Sequence, residues 1–302
     1  MNGLNFNTLV ILGATAGGKT ALAVQAARRY NAEIISADSR QVYRGMDLGT
    51  GKDLAEYAEL PYHLIDIAEP GTEYNLFQFQ RDCFAALEAI WSRGKLPLIC
   101  GGTGMYLDAV LRGYRLIEVP ENPELRKILE AQPDEALRRK LLELKPRQHN
   151  TTNLEQRKRL IRAIEIAVGE KQAVEPELPL PPLNPLVFGL KWPRTLLRQR
   201  IQQRLQARLE QGMIDEVEQL HLAGLSWAEL EFYGLEYRLC AQYLQQQLSR
   251  KQMVEQLDRA IGKFAKKQET FFRRMERQGV TIHWLDGAGD AFAQLCEVVD
   301  GG

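Results

Sequence analysis

The sequence predicts an α/β fold, a parallel sheet flanked by helices with a helical domain inserted into it. Three observations predict this. Short β-rich apolar runs alternate with helix-length stretches, and a glycine-rich loop joins the first run to the first helical pattern. From about residue 115 to residue 185 the strand signal gives way to charged, helix-forming sequence that closes on prolines. The expected boundaries are a core of residues 1–114 and 186–302 and an insertion of residues 115–185.

Each element has its own signal. Residues 8–12 form an apolar run, and KTALAVQAARRY at 19–30 sets Leu22, Val24, Ala26 and Ala27 at helical spacing. Residues 33–37 (EIISA), 62–67 (YHLIDI) and 96–100 (LPLIC) read as further strands. Five of the ten residues from Pro176 to Pro185 are proline, which predicts a stiff return linker. The sheet resumes at 186–190 (LVFGL), long amphipathic patterns follow at 194–223, 235–248 and 251–278, and the closing strand is expected at 280–285.

Composition excludes several classes. Hydrophobic residues make up 45% and charged residues 26%, as in ordinary globular proteins. No apolar run approaches the ~20 residues of a membrane span, and the N-terminus lacks a secretory pattern. A cytoplasmic protein with no membrane partner is therefore expected. Cys83, Cys100, Cys240 and Cys296 lie far apart, which argues against a zinc site or a disulfide framework. The net charge of zero conceals segregation: residues 126–167 carry 11 basic and 6 acidic side chains, and residues 191–277 carry 16 and 11. Two basic blocks in a neutral chain suit a polyanion-binding surface, although solvated helix faces explain them equally well.

The loop Gly13-Ala14-Thr15-Ala16-Gly17-Gly18-Lys19-Thr20 satisfies G-x-x-x-x-G-K-[ST] between a strand and a helix. The core is thus expected to be P-loop NTPase-like. Backbone N–H groups of such a loop face phosphate oxygens, the helix N-terminus adds partial positive charge, and Lys19 supplies a full one. Thr20 is the expected hydroxyl ligand of Mg²⁺. The loop alone does not separate an ATP-dependent kinase from a transferase that expels pyrophosphate. Asp38, in Ser36-Ala-Asp38-Ser-Arg40-Gln-Val-Tyr43, follows a strand at the sheet edge where open α/β proteins bind ligands. A carboxylate there suits a metal or a proton, and a turn or cap role is the plain alternative.

GATAGGKT, SADSRQVYRGMDLGTGK, HLIDI, PLICGGTGMYLDAVL, KRLIRAIEI and KFAKKQETFFRRME, in that order, resemble the tRNA dimethylallyltransferase family, bacterial type, over nearly the whole chain. The resemblance implies transfer of a dimethylallyl group from its diphosphate to N6 of adenine 37 beside the tRNA anticodon, releasing pyrophosphate. It implies Mg²⁺ as cofactor, dimethylallyl diphosphate and the tRNA anticodon stem-loop as partners, and a monomer. Residues 13–20 would hold the diphosphate, Asp38 would act as base, and Lys19, Thr103 and Arg204 would share the catalytic site. Arg200, one turn before Arg204, completes a family pair. The tRNA contacts implied are Asp38, Ser39, Arg40, Gln41, Thr103, Arg126, Lys158, Arg159 and Arg162.

The stretch with Lys263, Lys266, Lys267, Gln268, Arg273 and Arg274 resembles the family's cationic helix, on which Phe264, Phe271 and Phe272 are expected to pack inward. Ala14 and Gly17 stand where many members have proline and serine, and Gly234-Leu-Glu-Tyr-Arg238 departs from the frequent G-Y-K/R. A P-loop small-molecule or nucleotide kinase is the enzyme rival. A GTPase-like RNA-binding switch is weaker, because no N-K-x-D tetrapeptide occurs.

Overall fold

A computed structural model describes residues 5–146, 156–172 and 180–301. The chain divides into two compact units, one of Met1–Tyr114 with Pro181–Gly302 and one of Arg115–Leu180. Part of the proline-rich stretch, residues 176–179, lies outside the described residues. Among the described residues no helix is long and apolar enough to cross a membrane.

The first unit is built on β1 (Thr8–Gly13), β2 (Ala32–Ala37), β3 (Tyr62–His63), β4 (Leu96–Gly101), β5 (Pro185–Lys191) and β6 (His283–Asp286). They form one sheet in the order β3-β2-β4-β1-β5-β6, with every neighbouring pair parallel. All six residues of β1 are buried, which is why it reads as a continuous apolar run and not as an alternating one. Leu9 and Ile11 point into one core layer with Leu22, Ala26 and Leu295, from α1 (Lys19–Tyr30) and α12 (Ala291–Gly301). Val10 and Leu12 point into the opposite layer. There they meet Phe79 of α2 (Leu76–Ser92), Leu107 of α3 (Gly104–Leu111) and Phe272 of α11 (Arg250–Arg277).

A third core joins α7 (Arg194–Glu210), α8 (Met213–Leu222), α9 (Trp227–Phe232) and α10 (Leu235–Leu244) to α11, with Val42, Tyr43 and Met46 packed among them. The second unit comprises α4 (Pro123–Glu130), α5 (Asp134–Leu144) and α6 (Arg157–Gln172) around Leu129, Leu137, Leu141, Leu160 and Ile164.

Registry positions the site. Leu12 lies beside Gly101 and Gly101 beside Ala37, so β1, β4 and β2 end level with one another. The segments that leave those ends carry the phosphate loop, the Gly101–Gly104 turn and Asp38. With strands about 4.8 Å apart, the three converge within roughly 10 Å.

Several elements differ from the expectations. The strand expected at 62–67 stops at His63, because Leu64 and Asp66 adopt left-handed backbone (φ 63° and 55°) and the chain leaves the sheet to bond Gln41 and Val42. The pattern at 194–223 is two helices, broken at Gly212 with φ 99°. The closing strand begins at His283 instead of 280, since the Val280 N–H is spent on the Met275 carbonyl at the end of α11. Phe264 lies at the edge of the buried stripe of α11 and is 44% exposed, whereas Phe272 is fully buried.

Candidate active site

The phosphate loop is held open by backbone shape. Gly18 precedes α1 with φ 84°, and Ala16 also has positive φ, at 59°. A side chain at Gly17 would approach the Ala14 carbonyl to 2.9 Å, a carbonyl that already accepts the Gly17 N–H. A larger residue at this position would need that carbonyl to shift. Lys19 folds back so that Nζ donates to the Ala14 carbonyl at 2.9 Å. The Thr20 hydroxyl, in the first turn of α1, has no hydrogen-bond partner among the described residues.

Across the sheet edge, Asp38 and Thr103 are tied to one turn. Asp38 Oδ1 accepts the Arg40 N–H at 2.9 Å, and Thr103 Oγ1 accepts the Ser39 N–H at 3.0 Å. The Thr103 N–H donates to the Ala37 carbonyl at 3.2 Å. Although Thr103 occupies the N-cap position of α3, its side chain does not cap that helix. Its hydroxyl instead braces the Asp38 turn. Asp38, Ser39, Arg40 and Thr103 are half-exposed at the mouth of the site. Gln41, expected at the nucleotides, is turned inward: its amide accepts from Ser36 Oγ at 2.9 Å and donates to the Gly51 carbonyl at 3.0 Å.

Opposite the loop stands a wall of guanidinium groups from α7. Arg200, Arg204 and Arg208 recur every four residues and so share one face. Arg200 Nε donates to the Ala16 carbonyl at 2.9 Å, and its guanidinium carbon lies 4.3 Å from the Trp192 ring centre. Trp192 donates in turn to the Gly17 carbonyl at 2.9 Å. Arg204 reaches Thr15 Oγ1 at 3.4 Å and Asp53 at 2.8 Å, while Arg208 lies 3.4 Å from Asp53. Asp53 is set by a turn with φ 45° whose neighbour Lys52 is fully buried, bonded to the Tyr43 carbonyl at 2.6 Å and to Asp47 at 2.7 Å, and paired with Asp66. Loop, arginines, Asp53 and Glu56 line a cleft of about 440 Å³.

The electrostatics describe a cleft that favours an anion. Burial lowers the Lys19 pKa, and Arg204 pushes it the same way against the pull of Cys100 and Asp38. Burial likewise lowers Arg208, with Arg204 next in weight. Burial raises Glu56, helped by Asp53. Four cations face two carboxylates, one of which is biased towards its neutral form. An added polyanion relieves both the crowding and the desolvation.

The sequence singles out neither Arg208 nor Asp53, and it places Gln268 on a cationic surface. Gln268, on the helix expected to present cations, is only 7% exposed. Its Oε1 accepts the Thr15 N–H at 2.9 Å and its Nε2 donates to the Gly102 carbonyl at 2.9 Å, so one amide clamps the phosphate loop to the Gly101–Gly104 turn. A side chain at Gly102 would come within 2.4 Å of that amide. The available signal was the buried stripe Ile261, Ala265, Gln268, Phe272 and Met275, which puts Gln268 inside.

In the second unit the four expected tRNA contacts separate into two kinds. Lys158 and Arg159 are exposed, with no ion pair among the described residues. Arg126 and Arg162 instead neutralise the buried Glu165, at 3.1 Å and 2.5 Å, and Arg162 also donates to the Val119 carbonyl at 2.8 Å. Burial raises the Glu165 pKa, but the Asn122 N–H and both arginines outweigh it and leave the carboxyl below its usual range.

The IPP transferase family model matches residues 41–275, and the isopentenyl transferase model matches residues 6–60. The chain belongs to the IPP transferase family. Within that family it is 58% identical to tRNA dimethylallyltransferase 1 of Geotalea uraniireducens (strain Rf4) over 98% of each chain. It is 57% identical to tRNA dimethylallyltransferase 2 of Trichlorobacter lovleyi, over 98% of this chain and 97% of that one. Among solved structures, the tRNA isopentenylpyrophosphate transferase of Bacillus halodurans superposes with a TM-score of 0.71 at 32% identity, covering 98% and 95% of the two chains. A eukaryotic dimethylallyltransferase solved acting on tRNA, at 23% identity and a TM-score of 0.74, shares the fold.

Proposed function

We propose that this IPP transferase is a tRNA dimethylallyltransferase, transferring the dimethylallyl group from dimethylallyl diphosphate to N6 of adenine 37 beside the anticodon. The observation that carries the site assignment is the meeting of a carboxylate, Asp38, with a cationic phosphate loop at the level ends of β2, β4 and β1. In the reaction an N–C bond forms at the exocyclic amine and the allylic C–O bond breaks. The electron pair leaves with pyrophosphate, and the amine loses one proton.

Each role falls to a residue of this chain. Asp38 accepts the proton of the amine as it gains positive charge, and its Oδ1 is oriented by the Arg40 N–H. Thr103 fixes the turn that carries the carboxylate and lies with Ser39 and Arg40 where the nucleotide enters. Gln41 acts from behind, bracing the turn to Gly51. The amides of residues 13–20, Lys19, Arg200 and Arg204 receive the diphosphate and stabilise its departing charge. The Thr20 hydroxyl, without a hydrogen-bond partner among the described residues, fits a Mg²⁺ ligand at the first turn of the helix, with Asp53 and Glu56 in the same cleft. When bound, the ion neutralises phosphate charge.

Base extrusion from a stacked loop requires contacts beyond the core. Lys158 and Arg159 are free to meet phosphates, whereas Arg126 first joins α4 to α6 through Glu165, and Arg162 neutralises that carboxylate from within α6 and ties the helix to Val119. The decisive experiment incubates the protein with dimethylallyl diphosphate, Mg²⁺ and unmodified tRNA bearing adenine 37, without ATP. One added prenyl group on that nucleotide, seen by mass, supports the assignment. Phosphoryl transfer from ATP with no prenylation replaces it with the kinase reading.

A further inference from the structure

Phe232 is 64% exposed, more than Tyr62 at 40% or Phe264 at 44%. Its exposure is imposed by the helix that carries it. The start of α9 is fixed by a capping box, in which Ser226 accepts the Glu229 N–H and the Glu229 carboxylate accepts the Ser226 N–H at 2.8 Å. Leu230 and Tyr233, three residues apart, are both buried. The Tyr233 ring meets Tyr43 edge-on with centroids 4.7 Å apart, and its hydroxyl accepts the Gly71 N–H at 2.5 Å. The helix cannot rotate to hide Phe232 without giving up those contacts. An isolated surface phenylalanine is ordinary, but this one has a partner.

That partner links it to the reaction centre. The Arg40 guanidinium carbon lies 5.3 Å from the Phe232 ring centre, and the backbone N–H of the same arginine is the group that orients Asp38. The Cα atoms of Asp38 and Arg40, two residues apart, are at most about 7 Å from each other. A rigid aromatic face and a guanidinium thus stand together at the entrance of the acceptor site. Unstacked bases of RNA loops are held on such aromatic and arginine planes, and withdrawing one base from the stack bares a face of its neighbour.

We propose that Phe232 and Arg40 form a stacking platform for a nucleobase adjoining the acceptor adenosine. The proposal rests on the tRNA reading of the site. Every base has a π-face, so the platform positions the loop without demanding one sequence, and the guanidinium adds donors for base edges or phosphate.

The test uses anticodon stem-loop RNAs that are intact, or abasic at the nucleotide on either side of the acceptor, with wild type, Phe232→Ala and Phe232→Trp. Phe232→Ala is expected to raise KM for the intact RNA about 10-fold, within the range seen on truncating base-stacking aromatics. Its kcat at saturating RNA and its KM for dimethylallyl diphosphate should stay within about twofold, the pattern of lost uniform binding. Phe232→Trp should restore the affinity. On one abasic RNA the wild type should fall to the level of Phe232→Ala, and the variant should lose nothing further. Equal abasic penalties in both proteins, or an unchanged KM for the intact RNA, overturn the platform alone. Failure of the wild type to prenylate the intact stem-loop overturns the platform together with the tRNA reading.

Discussion

Replacing Gln268 by leucine tests whether the site depends on a clamp between its two loops. The substitution keeps the volume and removes both polar ends. It leaves the Thr15 N–H and the Gly102 carbonyl without partners that now sit at 2.9 Å each. An unmet buried group costs about 1–3 kcal/mol, so two give a ceiling of about 6 kcal/mol. Thr15 is half-buried and open to the cleft, so water replaces part of its loss and the expected destabilisation is about 2–3 kcal/mol. Urea unfolding of the purified chain measures this, read as a lower midpoint at unchanged slope. The same change frees the Thr15 amide to shift relative to Lys19, and kcat/KM for dimethylallyl diphosphate should fall about 10- to 100-fold. A variant as stable as wild type within about 0.5 kcal/mol, with kcat/KM unchanged, would show that the clamp is incidental.

Asp38→Asn keeps the shape and the Arg40 N–H contact but cannot take a proton. It should lower kcat about 10²- to 10⁴-fold with tRNA affinity intact, and a near-normal single-turnover rate would remove the base role. Glu33 is buried, which disfavours its charge, yet hydrogen bonds from Arg93, His63 and Lys95 prevail and bring its carboxyl down to about 2. Because the folded value is depressed, the stabilisation is present above the ordinary 4.5 and drains away as the pH falls from there towards about 2. The stability gap between wild type and Glu33→Gln, measured by denaturant titration, should therefore narrow across that window, and a gap constant with pH refutes the cause given. Lys158→Ala and Arg159→Ala should each reduce the slope of log affinity for tRNA against log salt by about 0.7 without lowering the unfolding midpoint. Arg162→Ala should instead destabilise the second unit by uncovering Glu165, so equal midpoints for the two classes count against the division drawn between them.

What could be read from the sequence was whatever local pattern determines. The phosphate loop was legible because spacing and flanking elements coincide, β1 and β4 because strands buried on both faces read as continuous apolar runs, and β2 and β5 because short β-rich segments stand between helix-length stretches. The end of the third strand was not legible. Leu64 is apolar and β-compatible, and what turns the chain there is tertiary: the backbone bonds to Gln41 and Val42 and the pairing of Asp66 with buried Lys52. The cleft wall was half legible: Arg200 and Arg204 came from resemblance, while Arg208 and Asp53 owe their place to a fold-back that no periodicity encodes. Gln268 lay among lysines, and charge composition masked a helical stripe that would have put it inside.

The cleft's free-state contacts suggest how it discriminates between bound states. Lys19 donates to a neutral carbonyl, and Arg204 and Arg208 share the single carboxylate Asp53. These are placeholders weaker than what a phosphate offers, because a charge-assisted bond is shorter and stronger than one to a carbonyl. In the proposed reaction, negative charge grows on the bridging oxygen of the diphosphate as the allylic C–O bond breaks, and the four cations of the cleft would stabilise the leaving group more than the intact ester. Only interactions that strengthen towards the transition state raise kcat, and this growth of charge supplies one. In the same reaction the Asp38 turn is tied to the Gly101–Gly104 loop through Thr103, which holds the carboxylate beside the cleft and not among the groups that line it.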